Sequence, residues 1–182
     1  MKKSPTSEVR TARLRLIPGT AAMVKAAVDN HVRLADFLGA SIPKTWPGDD
    51  LRDVLPQFHE RMVEDSAFEN WVVWFWVSRG DSGGDVLVGD GGFMGLPDED
   101  GTVEIGYSIL PEFRRQGYAR EGVAGLLAVA FGIREIDTVM AETEKDNAAS
   151  IHLLEKLGFC RMLGAGETGT VWFALTRRTY EG

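Results

Sequence analysis

Residues 102–131 constrain the fold of this chain more than any other segment, because a strand pattern there leads almost directly into a helix pattern. Residues 102–110 alternate with the two-residue period of a β-strand. Pro111 ends this strand, because proline has no amide hydrogen for a sheet ladder. Residues 117–132 then have the apolar spacing of a long helix. We therefore expect a strand and a helix joined by a short turn, as in proteins that mix α and β structure.

The turn between these two elements, residues 114–119 (RRQGYA), has the chemistry to bind an anion. The first amide groups of a helix have no partner within the helix, and the peptide dipoles place partial positive charge there. Gly117 and Ala119 would let an anion approach the backbone, and three arginines add positive charge (Arg114, Arg115 and Arg120). The same residues also suit a turn that only packs the helix against the strand, and the pattern leaves both interpretations open.

The other periodic segments predict one domain spanning residues 1–182. The order is strand, two helices, antiparallel meander, helix, strand, helix and hairpin. This order predicts an α/β (α+β) fold with one curved, mostly antiparallel sheet covered by helices. The predicted strands are 11–17, 70–78, 86–94, 102–110, 138–142, 159–163 and 170–176. The predicted helices begin after Thr20, run from Asp49 or Asp50 to about 65, and cover 117–132 and 147–157.

Charge and composition narrow the classes of partner. The 20 Lys and Arg residues against 27 Asp and Glu residues give a net charge of −7. This balance argues against nucleic-acid binding and suits a cationic partner or substrate. Residues 1–8 lack the apolar stretch of a signal peptide, and residues 123–133 are too short to span a bilayer. No His and Cys cluster has metal-ligand spacing. We therefore expect a soluble cytoplasmic protein that binds neither metal, membrane nor nucleic acid.

Two motifs in order resemble those of the GNAT N-acetyltransferase superfamily. Arg114-x-x-Gly117-x-Ala119 is similar to its Q/R-x-x-G-x-G/A motif, and residues 143–159 (TEKDNAASIHLLEKLGF) are similar to its second motif. Residues 11–16 (TARLRL) and 104–107 (EIGY) resemble its Rim-type branch, which modifies ribosomal proteins. The resemblance is strongest over residues 86–163. It implies a GNAT-like acyl-CoA N-acyltransferase fold, in which the sheet is splayed at its centre with helices on both faces.

The resemblance also implies an enzyme that moves an acetyl group from acetyl-CoA to a primary amine. The amides of residues 115–120 would hold the CoA pyrophosphate. The backbone of Ile109 and Leu110 would pair with the pantetheine arm like an added strand. This requires the 102–110 strand to diverge from the 138–142 strand. The residues assigned to the donor are Ile109, Leu110, Arg114, Arg115, Gln116, Gly117, Tyr118, Ala119, Arg120, Asn147 and Ser150.

Glu104 is the predicted general base. An acceptor amine with a pKa near 10 is mostly protonated at pH 7, so it must lose a proton before it attacks. Strand alternation places Glu104 on one face with the small residues Gly106 and Ser108, which suggests a cleft. We expect Glu104 to accept the proton through water. The alternative is a glutamate that faces solvent on a half-exposed strand.

The leaving thiolate also needs a proton or a hydrogen bond. Many members of the superfamily have a tyrosine where this chain has Leu154. Ser150, one helical turn earlier, is the predicted substitute, and Asn147 would contact the pantetheine or order the site. The alternative is that both residues only cap the helix.

Two other function classes stay open, together with the identity of the acceptor. One is an acyl-CoA-binding regulatory module without turnover, and the other is a phosphate- or nucleotide-binding protein. Residues 164–169 have the spacing G-x-G-x-x-G. A dinucleotide-binding motif of this kind leads into a helix, whereas a strand pattern follows here, so we do not assign that function to it. Residues 32–70 and 163–170 would select the acceptor, which could be a protein N-terminus, a polyamine, an amino acid or an aminoglycoside. The aromatic 70–78 strand is compatible with a homodimer.

Overall fold

The computed structural model describes residues 7–80, 84–162 and 169–182, and its described residues include an eight-stranded sheet. The spatial order of the strands is β1-β2-β3-β4-β5-β6-β8-β7. Neighbours are antiparallel except β5 and β6, which are parallel. The predicted mixed and mostly antiparallel sheet is thereby confirmed. The strands are β1 (Val9–Arg10), β2 (Leu14–Pro18), β3 (Trp74–Ser78), β4 (Val86–Phe93), β5 (Thr102–Ile109), β6 (Thr138–Glu144), β7 (Cys160–Arg161) and β8 (Thr170–Thr176).

The helices follow local capping chemistry. They are α1 (Ala21–Asp29), α2 (His31–Leu38), α3 (Asp49–Glu64), α4 (Tyr118–Phe131), α5 (Ala148–Lys156) and α6 (Arg177–Glu181), with short 3₁₀ turns at Ser66–Phe68 and Pro111–Phe113. Thr20 caps α1 as predicted, because its hydroxyl accepts a hydrogen bond from the Met23 amide. Asn30 ends α1, and its side chain accepts from the Arg33 amide to begin α2. The segment after Thr20 therefore forms two helices.

Two elements differ from the sequence expectations. The strand predicted from residue 70 begins only at Trp74, because Asn70 has a φ of 65° and its amide bonds the Gly19 carbonyl. Helix α6 was not expected. Its Arg177 guanidinium donates to carbonyls at the end of α4 and just beyond it, including Phe131 and Ile133. Of the predicted loop over residues 163–170, residues 163–168 lie outside the described residues.

Helix α4 packs against one face of the sheet because glycines line the contact. A Cβ atom at Gly122 would collide with the Trp76 ring, and one at Gly125 would collide with Leu16. On the opposite face, Phe75 contacts Trp46 with ring centroids 5.9 Å apart. Successive β3 residues thus face opposite layers. The expected helical cover on both faces is confirmed, and α4 is held close to the strands that carry the site.

Strands β5 and β6 separate at the centre of the sheet. Their register runs from Thr102 paired with Thr138 to Ile105 paired with Ala141 and then stops. Strand β5 continues to Ile109 while paired only with β4. The V-shaped opening expected from the resemblance is therefore present between the C-terminal halves of β5 and β6.

Candidate active site

The edge of β5 that borders this opening is set by its pairing with β4. The Met94 amide bonds the Glu104 carbonyl at 2.9 Å, and the Leu110 amide bonds the Val88 carbonyl at 3.0 Å. In an antiparallel ladder, alternate residues bond the same neighbour. The backbone groups of Tyr107 and Ile109 therefore point away from β4, towards the side where pairing with β6 has ended.

Leu110 corrects one expectation. Its amide is bonded to Val88, and its carbonyl accepts from the Phe113 amide at 2.9 Å. The Leu110 amide is therefore not available to an added strand. The cause is the regular β4–β5 register, in which Leu110 follows the Gly89–Ile109 pair and its amide faces β4 on the same side as the backbone of Glu104. Ile109 remains at the opening, although its carbonyl already accepts from Arg114 Nε at 2.9 Å.

The turn at the start of α4 presents a row of unpaired amides. In the described ranges, no protein group accepts a hydrogen bond from the amides of residues 115–120. The flanking amides are bonded, Arg114 to the Pro111 carbonyl and Glu121 to the Gly117 carbonyl. Arg115 and Gly117 have φ values of 60° and 85°. Left-handed residues in such a turn direct successive N–H groups to one concave side, which is an anion-binding arrangement.

Arg13 braces this turn from a distant part of the chain. Its Nη1 donates to the Gln116 carbonyl at 2.9 Å, and its Nε pairs with Glu121 at 2.8 Å. Its guanidinium also lies 4.5 Å from the centroid of the Tyr118 ring. Burial opposes ionisation of Glu121, but hydrogen bonds from Thr11 and Arg13 hold the pKa of this carboxyl below its usual value. This role of Arg13 was not predicted, because more than 100 residues separate Arg13 from the turn.

Glu104 lies on the face of β5 opposite to the side chains of Tyr107 and Ile109. It lines a cleft of about 320 Å³. Burial raises the pKa of this half-buried carboxyl, and the like charge of Glu142 raises it further. Within the described part of the chain, no hydrogen bond from another protein group occupies the Glu104 carboxylate, so it is available to a substrate or water. The cleft is lined by Met94, Gly95, Leu96, Asp98, Thr102, Val103, Glu104, Met140 and Trp172.

Ser150 and Asn147 lie at the start of α5. The Asn147 side chain accepts from the Ser150 amide at 3.1 Å, which is the capping arrangement considered above as the alternative. The Ser150 Oγ lies 2.7 Å from the Tyr107 hydroxyl, a contact that the sequence analysis did not foresee. Leu154 is fully buried. The structure therefore brings a β5 tyrosine, and not an α5 tyrosine, to Ser150.

Asp90 is a buried acid that the sequence analysis also missed. Burial raises its pKa to about 7 against the opposing hydrogen bond from Trp46 Nε1, and the charge of Asp50 contributes to the rise. The Trp46–Asp90 hydrogen bond is 2.9 Å long. Asp90 pairs with Ser108 across the β4–β5 ladder, so both face the same side of the sheet.

A family model for the acetyltransferase (GNAT) domain matches residues 13–160, most of the chain. The chain belongs to the GNAT acetyltransferase family. YjdG of Bacillus subtilis (strain 168), an uncharacterized N-acetyltransferase, is 32% identical over 151 residues, which cover 83% of this chain and 88% of YjdG. This GNAT protein is accordingly an acetyltransferase.

Solved structures share the fold at low sequence identity. A probable GNAT acetyltransferase from Chromobacterium violaceum has a TM-score of 0.65 and 21% identity, with 99% of this chain and 91% of that chain covered. A putative ribosomal-protein-serine acetyltransferase from Vibrio cholerae has a TM-score of 0.61 and 16% identity, with 96% and 99% covered. These likenesses show the GNAT fold, and the Rim-type assignment stays a prediction.

The described residues contain neither a membrane-spanning helix nor a metal-binding cluster. No helix in residues 7–80, 84–162 or 169–182 of this GNAT protein has the length and apolar character to cross a bilayer. In the same ranges, no three His, Cys, Asp or Glu side chains are grouped so that they could hold a metal ion.

Proposed function

We propose that this GNAT enzyme transfers the acetyl group of acetyl-CoA directly to a cationic primary amine. The proposal depends on one observation: the unpaired amides of residues 115–120 lie at the start of α4, which follows the strand that borders the opening in the sheet. A diphosphate bound there would direct the rest of the donor along the exposed edge of β5. A diphosphate fits this turn, because an anion is favoured by its free amides, by its two left-handed residues and by the nearby arginines.

The donor would be held mainly by backbone groups. The amides of residues 115–120 would bind the diphosphate, and the exposed Arg115 and Arg120 would add positive charge. The Ile109 amide would bond the pantetheine arm, or the developing oxyanion, from the edge of the opening. Arg114 would act indirectly, because its side chain is bonded to the Ile109 carbonyl. Asn147 would order the start of α5 through its cap, and Ser150 would face the thioester sulfur.

Glu104 would prepare the amine for attack. Its pKa is raised by burial and by Glu142, which brings the carboxylate closer to the amine in proton affinity. Glu104 would take the ammonium proton through water, and the free amine would then attack the thioester carbon. Fixing the two reactants in attack geometry can contribute roughly 7–11 kcal/mol, more than the base itself.

The lining of the Glu104 cleft favours an amine that is cationic and has an apolar portion. Glu104 and Asp98 supply negative charge to the lining, whereas Met94, Met140 and Trp172 supply apolar surface. A structural neighbour with a TM-score of 0.62 and 15% identity is a spermidine N-acetyltransferase chimera. The amine in that protein's name supports an amine as the class of acceptor here. We place the reaction in the cytoplasm, where acetyl-CoA would be available.

The test is release of CoA thiol from acetyl-CoA across a panel of amines. The panel should contain polyamines, amino acids, aminoglycosides and peptides with free N-termini, each at several pH values. We expect turnover with cationic members and little turnover with amines that bear net negative charge. Binding of CoA without thiol release from any amine would favour the acyl-CoA-binding module. Tighter binding of ATP or NAD than of CoA would favour the nucleotide-binding alternative.

A further inference from the structure

We propose that Tyr107 is the proton source for the leaving thiolate and that Ser150 relays this proton to sulfur. The inference rests on the proposed acetyl transfer. Its starting point is the 2.7 Å contact between the Tyr107 hydroxyl and the Ser150 Oγ. Tyr107 lies in β5 beyond the last residue that pairs with β6, and Ser150 lies in the first turn of α5. The contact therefore links the edge of the opening to the helix that carries the second GNAT motif.

Both partners are held in place by the surrounding fold. The Tyr107 ring stacks on the buried Trp76 ring, with centroids 6.5 Å apart and an angle of 11° between the planes. Trp76 is itself fixed against α4, where Gly122 leaves no space for a side chain. Asn147 fixes the backbone of Ser150 through the helix cap. A hydroxyl pair with so little freedom can keep one orientation during the reaction.

Proton affinity identifies Tyr107 as the better source. A thiol has a pKa near 8.5 and a tyrosine near 10, so a phenol can protonate a thiolate at modest cost. Ser150 alone would have to become an alkoxide, which is far more basic than either group. Burial raises the pKa of Tyr107 against the opposing hydrogen bond from Ser150, so the phenol keeps its proton at neutral pH.

The step balances with these two residues. As the carbon–sulfur bond of the tetrahedral intermediate breaks, its electron pair goes to sulfur. Ser150 Oγ gives its proton to that sulfur and receives the Tyr107 proton in the same step. The Tyr107 phenolate regains a proton from water after CoA has left. The amine loses two protons in all. Its ammonium proton goes separately to Glu104 on the other face of β5, and the second leaves the nitrogen for solvent as the amide forms, which balances the proton that Tyr107 regains.

This arrangement explains how the chain can dispense with a tyrosine in α5. Leu154 occupies that position and is fully buried in the core, so it has no chemical part in the reaction. The phenol instead reaches Ser150 from the neighbouring strand. Tyr107 therefore acts through Ser150, and Ser150 is the residue that contacts the leaving sulfur.

The experiment compares Tyr107→Phe, Ser150→Ala and the double variant with Tyr180→Phe as the control. Tyr180 stacks on Phe131 at the C-terminal end of the fold, away from the site. We expect kcat to fall about 10²-fold in each site variant, while the KM for acetyl-CoA changes less than about 3-fold. Since the two hydroxyls act as one unit, the double variant should be no slower than the slower single variant. Wild-type kcat in Tyr107→Phe, or losses that multiply in the double variant, would overturn the proposal.

A binding measurement tests the same contact without turnover. Calorimetry with CoA and with desulfo-CoA, which lacks the sulfur, measures how strongly the site holds that atom. The wild type and Tyr180→Phe should bind CoA more tightly than desulfo-CoA, and Tyr107→Phe should lose at least half of this preference. An unchanged preference would overturn the Tyr107 proposal. Failure of every form to bind CoA would instead overturn the proposed function, and with it this inference.

Discussion

Replacing Gly117 by alanine tests whether the shape of the α4 turn matters for the donor. Gly117 has a φ of 85°, in the region that only glycine adopts without strain. An added Cβ would lie 3.2 Å from Arg13 Nη2, the end of a flexible side chain, so the main cost falls on the backbone. A non-glycine residue in this region costs roughly 1–2 kcal/mol.

That strain should appear as lost affinity for CoA. In the free protein the turn can relax, and binding must then restore the strained backbone that directs its amides at the diphosphate. A cost of roughly 1–2 kcal/mol corresponds to about a 5- to 30-fold higher Kd. For a chain of this size, the same cost lowers Tm by about 2–8 °C if the turn does not relax. Calorimetry with CoA and thermal unfolding measure both quantities.

Gly39→Ala is the matched control. Gly39 ends α2 with a φ of 58°, and no atom lies within 4 Å of the Cβ that would be added. This variant should lose stability for the same backbone reason but bind CoA as the wild type does. If Gly117→Ala kept wild-type affinity for CoA, the assignment of this turn to the donor diphosphate would be refuted.

Three further substitutions test other parts of the site. Glu104→Gln should lower kcat by about 10²–10⁴-fold. It should also remove the acidic limb of the pH profile of kcat/KM, because wild-type activity falls as the pH drops and Glu104, whose pKa is raised, becomes protonated. A variant with the wild-type rate and pH profile would contradict the role of Glu104 as base. Arg13→Gln should weaken CoA binding roughly 2- to 5-fold, because it leaves the Glu121 carboxylate without its cationic partner beside the anion turn. Equal weakening in Arg10→Gln, whose partner is Glu8, would count against a specific role. Burial raises the pKa of Asp90 to about 7. The native state therefore binds more protons than the unfolded state between about pH 4 and pH 7. The free energy of unfolding should fall by on the order of 2–3 kcal/mol from pH 5 to pH 8. Asp90→Asn should remove this fall in urea unfolding curves, and an unchanged pH dependence would show that another group causes it.

The sequence predicted those features that depend on neighbouring residues. Strand β5, Pro111 and helix α4 follow from local periodicity and capping, and the two motifs identified the GNAT fold and its opening. The break between α1 and α2 at Asn30 was not predicted. Asn30 ends one helix and begins the next, and an apolar pattern does not reveal such a residue.

Features that depend on distant contacts could not be predicted in this way. The Leu110 amide is taken by the Val88 carbonyl because of the β4–β5 register, which the sequence of β5 alone does not reveal. Arg13 meets the α4 turn across more than 100 residues, and Tyr107 meets Ser150 across 43. Asp90 becomes a perturbed acid only when the fold buries it, and its hydrogen-bond partner Trp46 lies 44 residues away. Each of these requires the register of the sheet and the packing of a helix or loop upon it.

The central claim is that the backbone amides of residues 115–120 bind the diphosphate of CoA. The most direct measurement is a titration of ¹⁵N-labelled protein with CoA, followed by the chemical shifts of individual amides, with pantetheine as the ligand that lacks the diphosphate. We predict large, saturable shifts at residues 115–120 with CoA and much smaller ones with pantetheine. Saturable binding of CoA that left these six amides unshifted would contradict the claim.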